Sequence, residues 1–298
     1  MQSIIETLLI GLSNGAVYAL ISLALVLVWR STRVVNFAQA GQAMIATYVG
    51  FEIASRSQVF WLAVLFAIVA GALIGAGVDY FFMRVLFKHA TEGPAAVVAP
   101  VIATLGLLGV VRAVVGLIWS SEYRLIEPPV SRNGYTIGET TIPFSPLNTL
   151  IIVTVCIVLI VISIIFRRTN LGLALRASAY APEIAQLAGV RTAQTRTIGW
   201  AIAGGIGGIA GMLVSSENYL SPYSLDLLLV FGFIAAVIGG LESMVGAVVG
   251  ALLLGVLLSL VLNVFGTSAT FTSAFLILIL VLLFKPDGIV ASRKGRRA

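Results

Sequence analysis

Apolar residues in this chain come in long, nearly unbroken runs, separated by short polar breaks, rather than in an alternating or striped pattern. The runs occupy residues 4–28, 38–53, 59–82, 94–119, 147–166, 198–214, 225–241, 245–265 and 271–284. About 20 apolar residues suffice to carry a helix across the hydrocarbon core of a bilayer. The pattern therefore predicts nine transmembrane helices. The second run is the weakest, because Asn36, Gln39 and Gln42 crowd its start. A broken or re-entrant helix is the expectation there, a form tolerated where backbone is buried in protein or lines a cavity. Two breaks are longer than a turn. Residues 120–146 carry four prolines and the strand-like "YTIGETTI", which reads as an external loop with a small hairpin. Residues 167–197 contain "RASAYAPEIAQLAGVRTAQTR", an alanine-rich, charged stretch that looks water-facing.

Composition agrees with this reading. The 298 residues are 59% hydrophobic and 10% charged, where a soluble domain carries roughly 25% charged residues. Most of the 30 glycines cluster within the apolar runs, as in Gly204/Gly208, Gly207/Gly211 and Gly246/Gly250, spacings that suit close helix packing in lipid. The fold class is thus an all-α polytopic membrane protein of eight or nine spans, with a single domain over 1–298. Charge placement orients it. With the C-terminal "SRKGRRA" inside, Arg30, Arg33, Arg84, Lys88, Arg167, Arg168, Arg176, Arg191 and Arg196 also fall inside. Arg56, Arg124 and Arg132 fall outside, together with Glu122, Glu127, Glu139, Glu217 and Asp226. That is the positive-inside bias, and it places the N-terminus outside. The net charge of +6 is then topological, and no nucleic-acid partner is expected. No basic residue precedes Arg30, so the opening run does not read as a cleaved signal peptide.

Several chemistries are absent. The only lysines are Lys88, Lys285 and Lys294, none of them after a glycine, so the chain has no phosphate-binding Gly-Lys loop. One histidine, His89, and one cysteine, Cys156, cannot make the usual zinc or haem sites, and no cofactor is expected. The acids sit mainly in loops. The one charge deep in a run, Arg112, has no evident acidic partner; it reads as an arginine snorkelling about 10 Å toward the interface near Trp119. A proton- or sodium-driven carrier would need ionisable groups or ion sites at midplane. Transport here would need an external motor.

The candidate for contact with that motor lies in the longer basic break. In "PEIAQLAG", Pro182 suits a first helical turn, Glu183 complements the helix dipole and Gly189 suits the cap beyond the end. Ala181, Ala185 and Ala188 lie at i, i+4 and i+7 and make a small-residue face for close docking. A plain interfacial helix between two spans is the alternative. The Glu-x-Ala-x-x-x-Gly pattern resembles the coupling segment of ABC importer permeases, in which a short cytoplasmic helix docks on the ATPase subunit.

Five further stretches in order extend this resemblance to nearly the whole chain. "NGAVYALISLALVLVW", "VVNFAQAGQAMIATYVG", "ATLGL", "TNLGLALRASAYAPEIAQLAGV", "AAVIGGLESMVGAVVGALLLG" and "KPDGI" together resemble the branched-chain amino acid permease family of ABC importers, LivH type. Ala40 and Glu242 stand where that family has glycine, and "RVLFKHA" replaces a basic turn, which marks a divergent member and leaves the solute open. The resemblance implies a bacterial inner-membrane permease subunit with no catalysis of its own. Its implied partners are a second homologous permease, two ATPase subunits, a solute-binding protein and membrane lipid. It implies that Arg176, Ala181, Glu183, Ala185, Ala188 and Gly189 contact the ATPase. Candidates for the solute path are Tyr18, Asn36, Gln39, Tyr48 and Thr104; for the buried amides and tyrosines, helix-to-helix hydrogen bonding is the alternative role. A hydrophobic lumen would suit an apolar zwitterion, and equally urea or a short amide. A self-sufficient channel or facilitator, and a membrane-embedded enzyme, are the rival classes.

Overall fold

The computed structural model describes residues 4–89, 93–137 and 140–290. The basic tail and Glu139 used in the charge argument lie outside the described residues. Each apolar run becomes a helix. In chain order these are α1 (Ile4–Thr32), α2 (Gln39–Ser57), α3 (Phe60–Gly77), α4 (Arg84–His89), α5 (Gly93–Trp119), α6 (Pro146–Arg168), α7 (Asn170–Tyr180), α8 (Pro182–Leu187), α9 (Thr192–Glu217), α10 (Asp226–Gly239), α11 (Met244–Phe265) and α12 (Thr267–Phe284). A wider π-helical turn, Val78–Met83, joins α3 to α4 without a break. The hairpin expected in the external loop is present as two short antiparallel strands, β1 (Thr136–Ile137) and β2 (Thr140–Thr141).

Among the described residues, seven helices are long and apolar enough to cross a membrane: α1, α3 through its extension to Lys88, α5, α6, α9, α11 and α12. The remaining two runs, 38–53 and 225–241, are helical but differ from full spans. α10 has only 14 residues, a rise of about 21 Å, because the chain from Asn218 to Leu225 stays non-helical. α2 is polar at its start. Its first residue, Gln39, donates from Nε2 to the carbonyl of Ala203, 2.9 Å away. Ala203 lies 11 residues into α9, about 16 Å along that helix. α2 therefore begins inside the bundle, as a re-entrant start would.

The parity of the chain is preserved. The C-terminal end of α1 meets the α10–α11 turn through Arg33 and Glu242, 2.5 Å apart. α2 runs away from that end and brings Glu52 to the indole Nε1 of Trp119 at 3.0 Å. One end of the bundle holds Arg30, Arg33 and Glu242, and the other holds Glu52, Arg56 and the hairpin loop.

α1 and α9 form the core, with 72% of each apolar window buried, against 22% in α5 and α6 and 6% in α12. α9 packs on α3, α2 and α1, while α1 packs on α11, α9, α10 and α6. Lipid supplies no hydrophobic drive between helices, so close van der Waals approach has to hold them. Gly71 of α3 and Gly204 of α9 achieve it: a Cβ on either would run into the other's carbonyl oxygen. The glycine spacings read as packing devices do that work: Gly204 and Gly208 meet α3, Gly207 and Gly211 meet α2, and Gly246 and Gly250 meet α10. The Gly-Gly-x-x-Ser run has a local reason as well. Ser243 caps α11 by accepting from Gly246 N at 2.9 Å, and Gly240 turns at φ +99° against Gly288 of the "KPDGI" tail.

This packing gives a paired test. Gly204→Ala should destabilise the protein by about 1–3 kcal/mol, the usual cost of overpacking. Gly109→Ala meets open space and should be neutral or stabilising by up to about 1 kcal/mol, because alanine is the better helix former. Thermal unfolding of the two purified variants in one detergent checks the difference.

Candidate functional site

The segment after α6 turns sharply. Thr169 caps α7 by accepting from Gly172 N at 3.1 Å, and Gly172 lies against the backbone of Ile165 and Phe166, leaving no room for a Cβ. Arg176 then reaches back from Nε to the Gly172 carbonyl at 3.3 Å. The Thr-x-x-Gly-x-x-x-Arg spacing is thus one local unit: cap, tight turn and brace. α8 follows at once, with Pro182 in its first turn and Glu183 beside it. It ends in a Schellman motif, in which Gly189 N donates to Gln186 O and Val190 N to Ala185 O, each at 2.9 Å. Gly189 has φ +84°, the left-handed conformation expected of it. Gln186 donates to Thr192 Oγ1 at 2.7 Å and so latches α8 to the start of α9.

The outward face of α8 differs from the expected alanine face. Ala185 is buried, and Ala181 is half-buried with it; only Ala188 is exposed. Tyr180, Ile184 and Leu187, at the same i, i+4, i+7 spacing one residue earlier, project instead, with exposures of 93%, 68% and 89%. The small residues turn inward because α8 must lie close on α7 and α9, and the bulky ones have nowhere else to go. Sequence reasoning passed over Ile184 and Leu187 as ordinary apolar positions. Their signal was large aliphatic residues on a six-residue helix in a charged segment.

The solute-path candidates divide. Asn36, Gln39, Tyr48 and Thr104 are all wholly buried and gather around α2. Asn36 donates to Gln39 Oε1 at 3.2 Å, Gln39 ties α2 to α9, and Thr104 Oγ1 accepts from Phe37 N at 3.4 Å. Further along α2 the Tyr48 ring lies 5.1 Å from that of Trp119. Tyr18 is elsewhere, between α1 and α10, its ring 5.3 Å from Phe231. Gln39 therefore bonds α2 to α9, and Asn36 holds Gln39 in place. Yet the Asn36 Oδ1, the whole Gln42 amide and the Tyr48 hydroxyl are buried with no hydrogen-bond partner, which keeps this seam the most polar buried strip along α2.

Two ionic sites escaped the sequence reading. Arg112, expected to snorkel alone, is ion-paired through Nη2 with Asp226 Oδ1, and its guanidinium stands 5.3 Å from the Tyr223 ring. The acid comes from the first turn of α10, where the helix dipole favours it, and the non-helical stretch before it lets it reach that depth. The second is Asp79, fully buried in the π-helical turn, 2.7 Å from Arg196 Nε and 2.6 Å from Thr197 Oγ1.

The two amides predict different losses. Gln39→Leu removes the side-chain hydrogen bond between α2 and α9 and leaves the buried Asn36 Nδ2 without its acceptor, which should cost about 1–3 kcal/mol, seen as a lower unfolding midpoint. Asn36→Leu removes a side chain whose oxygen is already unpaired and should shift the midpoint less.

Comparison with known proteins follows this geometry. The chain is 28% identical over 295 residues to the high-affinity branched-chain amino acid transport system permease protein BraD of Pseudomonas aeruginosa, covering 96% of this chain and 95% of that one. It is 28% identical over 282 residues to the probable branched-chain amino acid transport permease protein LivH of Methanocaldococcus jannaschii, covering 91% and 87%. The fructose import permease protein FruF of Bifidobacterium longum is more distant, at 23% over 314 residues and 96% and 80% coverage. In fold, the chain is similar to a solved structure of PsaBC from Streptococcus pneumoniae in complex with Fab, with a TM-score of 0.50, 12% identity and coverage of 95% and 91%. A family profile described as branched-chain amino acid transport system / permease component matches residues 7–284. That match spans most of the chain, which therefore belongs to the permease-component family of the branched-chain amino acid transport system.

Proposed function

We propose that this permease moves branched-chain or related amino acids, handed over by a solute-binding protein, across a bacterial inner membrane. It works with a second homologous permease and two separate ATPase subunits. The observation that carries this reading is α8. This short helix, closed at its C-terminus by the Schellman motif, presents Ile184 and Leu187 to solvent, next to Tyr180 at the end of α7, at the basic end of the bundle, beside exposed Arg176 and Glu183. Large aliphatic side chains in water are costly unless a partner covers them, each being worth about 1.5–3 kcal/mol on burial. The chain carries no phosphate-binding loop of its own, so the partner that covers α8 is the one that supplies ATP hydrolysis. Movement of α8 has a firm route inward: Gln186 grips Thr192, α9 begins there, and α9 is half of the buried core.

The amino-acid solute rests on the relatives' names and on the scarcity of charge in the buried spans. An apolar side chain finds a compatible wall there, and the amides and hydroxyls along α2 offer polar contacts without a fixed charge.

Two outcomes test the coupling reading. Ile184→Glu with Leu187→Glu should leave the protein inserted and folded, since both side chains already face water, yet reduce ATPase association more than tenfold, a loss of over 1.4 kcal/mol. Gly189→Arg should act similarly, through about 1 kcal/mol of left-handed strain and a cation placed at the docking surface. Binding-protein-stimulated ATPase activity of the reconstituted complex is the measurement, with uptake of labelled leucine beside it; unchanged stimulation in both variants would make α8 a mere linker.

Orientation has its own test. In a Cys156→Ser background, a cysteine at Asn133 should react with an impermeant maleimide from outside the cell, and one at Tyr180 only after the membrane is opened. The reverse pattern would turn the molecule over and remove α8 from the ATPases.

A further inference from the structure

A cavity of about 590 Å³ opens at the basic end of the bundle. Tyr80, Phe81, Arg84, Phe87, Lys88 and Arg196 line it. It exists because the π-helical turn Val78–Met83 widens the helix just where Asp79 must turn inward. Asp79 is fully buried and takes Arg196 at 2.7 Å, while Arg84 Nε stands 3.8 Å from its other oxygen. Arg84 is fixed further by donating from Nη2 to Thr197 Oγ1 at 2.8 Å and to the Ala193 carbonyl at 3.2 Å. Aromatic faces complete the frame: the Arg84 guanidinium lies 4.6 Å over Tyr80 and that of Arg196 lies 5.2 Å over Phe87.

The charges do not balance. One buried carboxylate serves two guanidiniums, and Lys88 adds a third cation, so the site keeps a surplus of two positive charges, with no acid among the described residues lining the cavity. The Arg84 Nε is buried with no hydrogen-bond partner. Two guanidiniums held rigid by an acid, a hydroxyl and two rings are donors already oriented for an anion, and a phosphate group matches the guanidinium fork. The rim adds a second property. Phe81, Phe82 and Val85 are 68%, 56% and 52% exposed on the outer surface of a membrane-spanning helix, where aromatic residues mark the lipid–water interface.

We propose that this cavity is a binding site for a phosphate group, with Arg84, Lys88 and Arg196 as its ligands. The apolar rim fits the acyl chains of an anionic phospholipid whose phosphate reaches the cations; free inorganic phosphate offers the same phosphate chemistry. Occupation would brace the joint between α4 and the start of α9. The proposal stands apart from the solute and from the docking role of α8.

Native mass spectrometry of the delipidated full-length chain tests it, with dioleoyl phosphatidylglycerol, dioleoyl phosphatidylcholine and sodium phosphate as separate probes. Lys88→Ala is the informative variant, because Lys88 is exposed and outside the Asp79 network; Arg191→Ala, an exposed cation elsewhere on the same end, is the control. Phosphatidylglycerol should be retained in preference to phosphatidylcholine, and Lys88→Ala should weaken it about fivefold, the usual effect of one basic residue near an anionic headgroup, with Arg191→Ala unchanged. Retention of inorganic phosphate with the same Lys88 dependence would also support the site and name the soluble source. Equal retention of both lipids, an equal loss in Arg191→Ala, or indifference to Lys88→Ala in every arm would overturn it.

Discussion

The contact between the backbones of α3 and α9, glycine against glycine, is the interaction on which this molecule depends. In hydrocarbon, apolar side chains gain nothing by leaving lipid for one another, so only close packing and internal hydrogen bonds hold helices together. At Gly71 and Gly204 the approach is so close that no side chain fits between. That crossing fixes α9, and α9 in turn carries the Ala203 carbonyl that accepts from Gln39 and the Arg196 that neutralises Asp79. The start of α2, the π-helical turn and the latch to α8 all take their positions from one helix.

Polar groups in this bundle are placed by the same constraint. Asn36, Gln39 and Thr104 are not scattered through the spans; they sit where the chain between α1 and α2 leaves helical form and must satisfy backbone groups within protein. Asp226 occupies the equivalent position at the start of α10, where non-helical chain dips to meet Arg112. Both helices thus begin at polar contacts, buried for α2 and part-buried for α10, and both interrupt what hydropathy reads as simple crossings. Such interruptions are also where a transport path can be built, because they bring unpaired groups such as the Gln42 amide into the interior.

The basic end combines two surfaces of different character. On one side α8 offers aliphatic side chains over a scaffold of small residues and a Schellman cap, a shape suited to a protein partner. On the other, a rigid cluster of cations under an aromatic rim is suited to an anion at the membrane boundary. α9 begins between them, with Thr192 held by Gln186 and Arg196 held by Asp79, so a load on either surface reaches the same helix within one turn.

What the sequence by itself determined was the kind of molecule and its segmentation. Runs of apolar residues, glycines within them and basic residues at alternate breaks follow from solvation in lipid, a property each residue carries regardless of its neighbours. The motif order made the family visible, and Gly189 could be assigned its left-handed cap because only local backbone geometry was at stake. Which groups would meet was decided by tertiary structure alone. Asp79 and Arg196 are 117 residues apart, Arg112 and Asp226 are 114 apart, and hydropathy treats each as an isolated charge to be explained away. The face of α8 was equally out of reach: Ala181, Ala185 and Ala188 and the set Tyr180, Ile184 and Leu187 have the same helical spacing. Only packing against α7 and α9, which admits small side chains and expels large ones, decided which set turned inward.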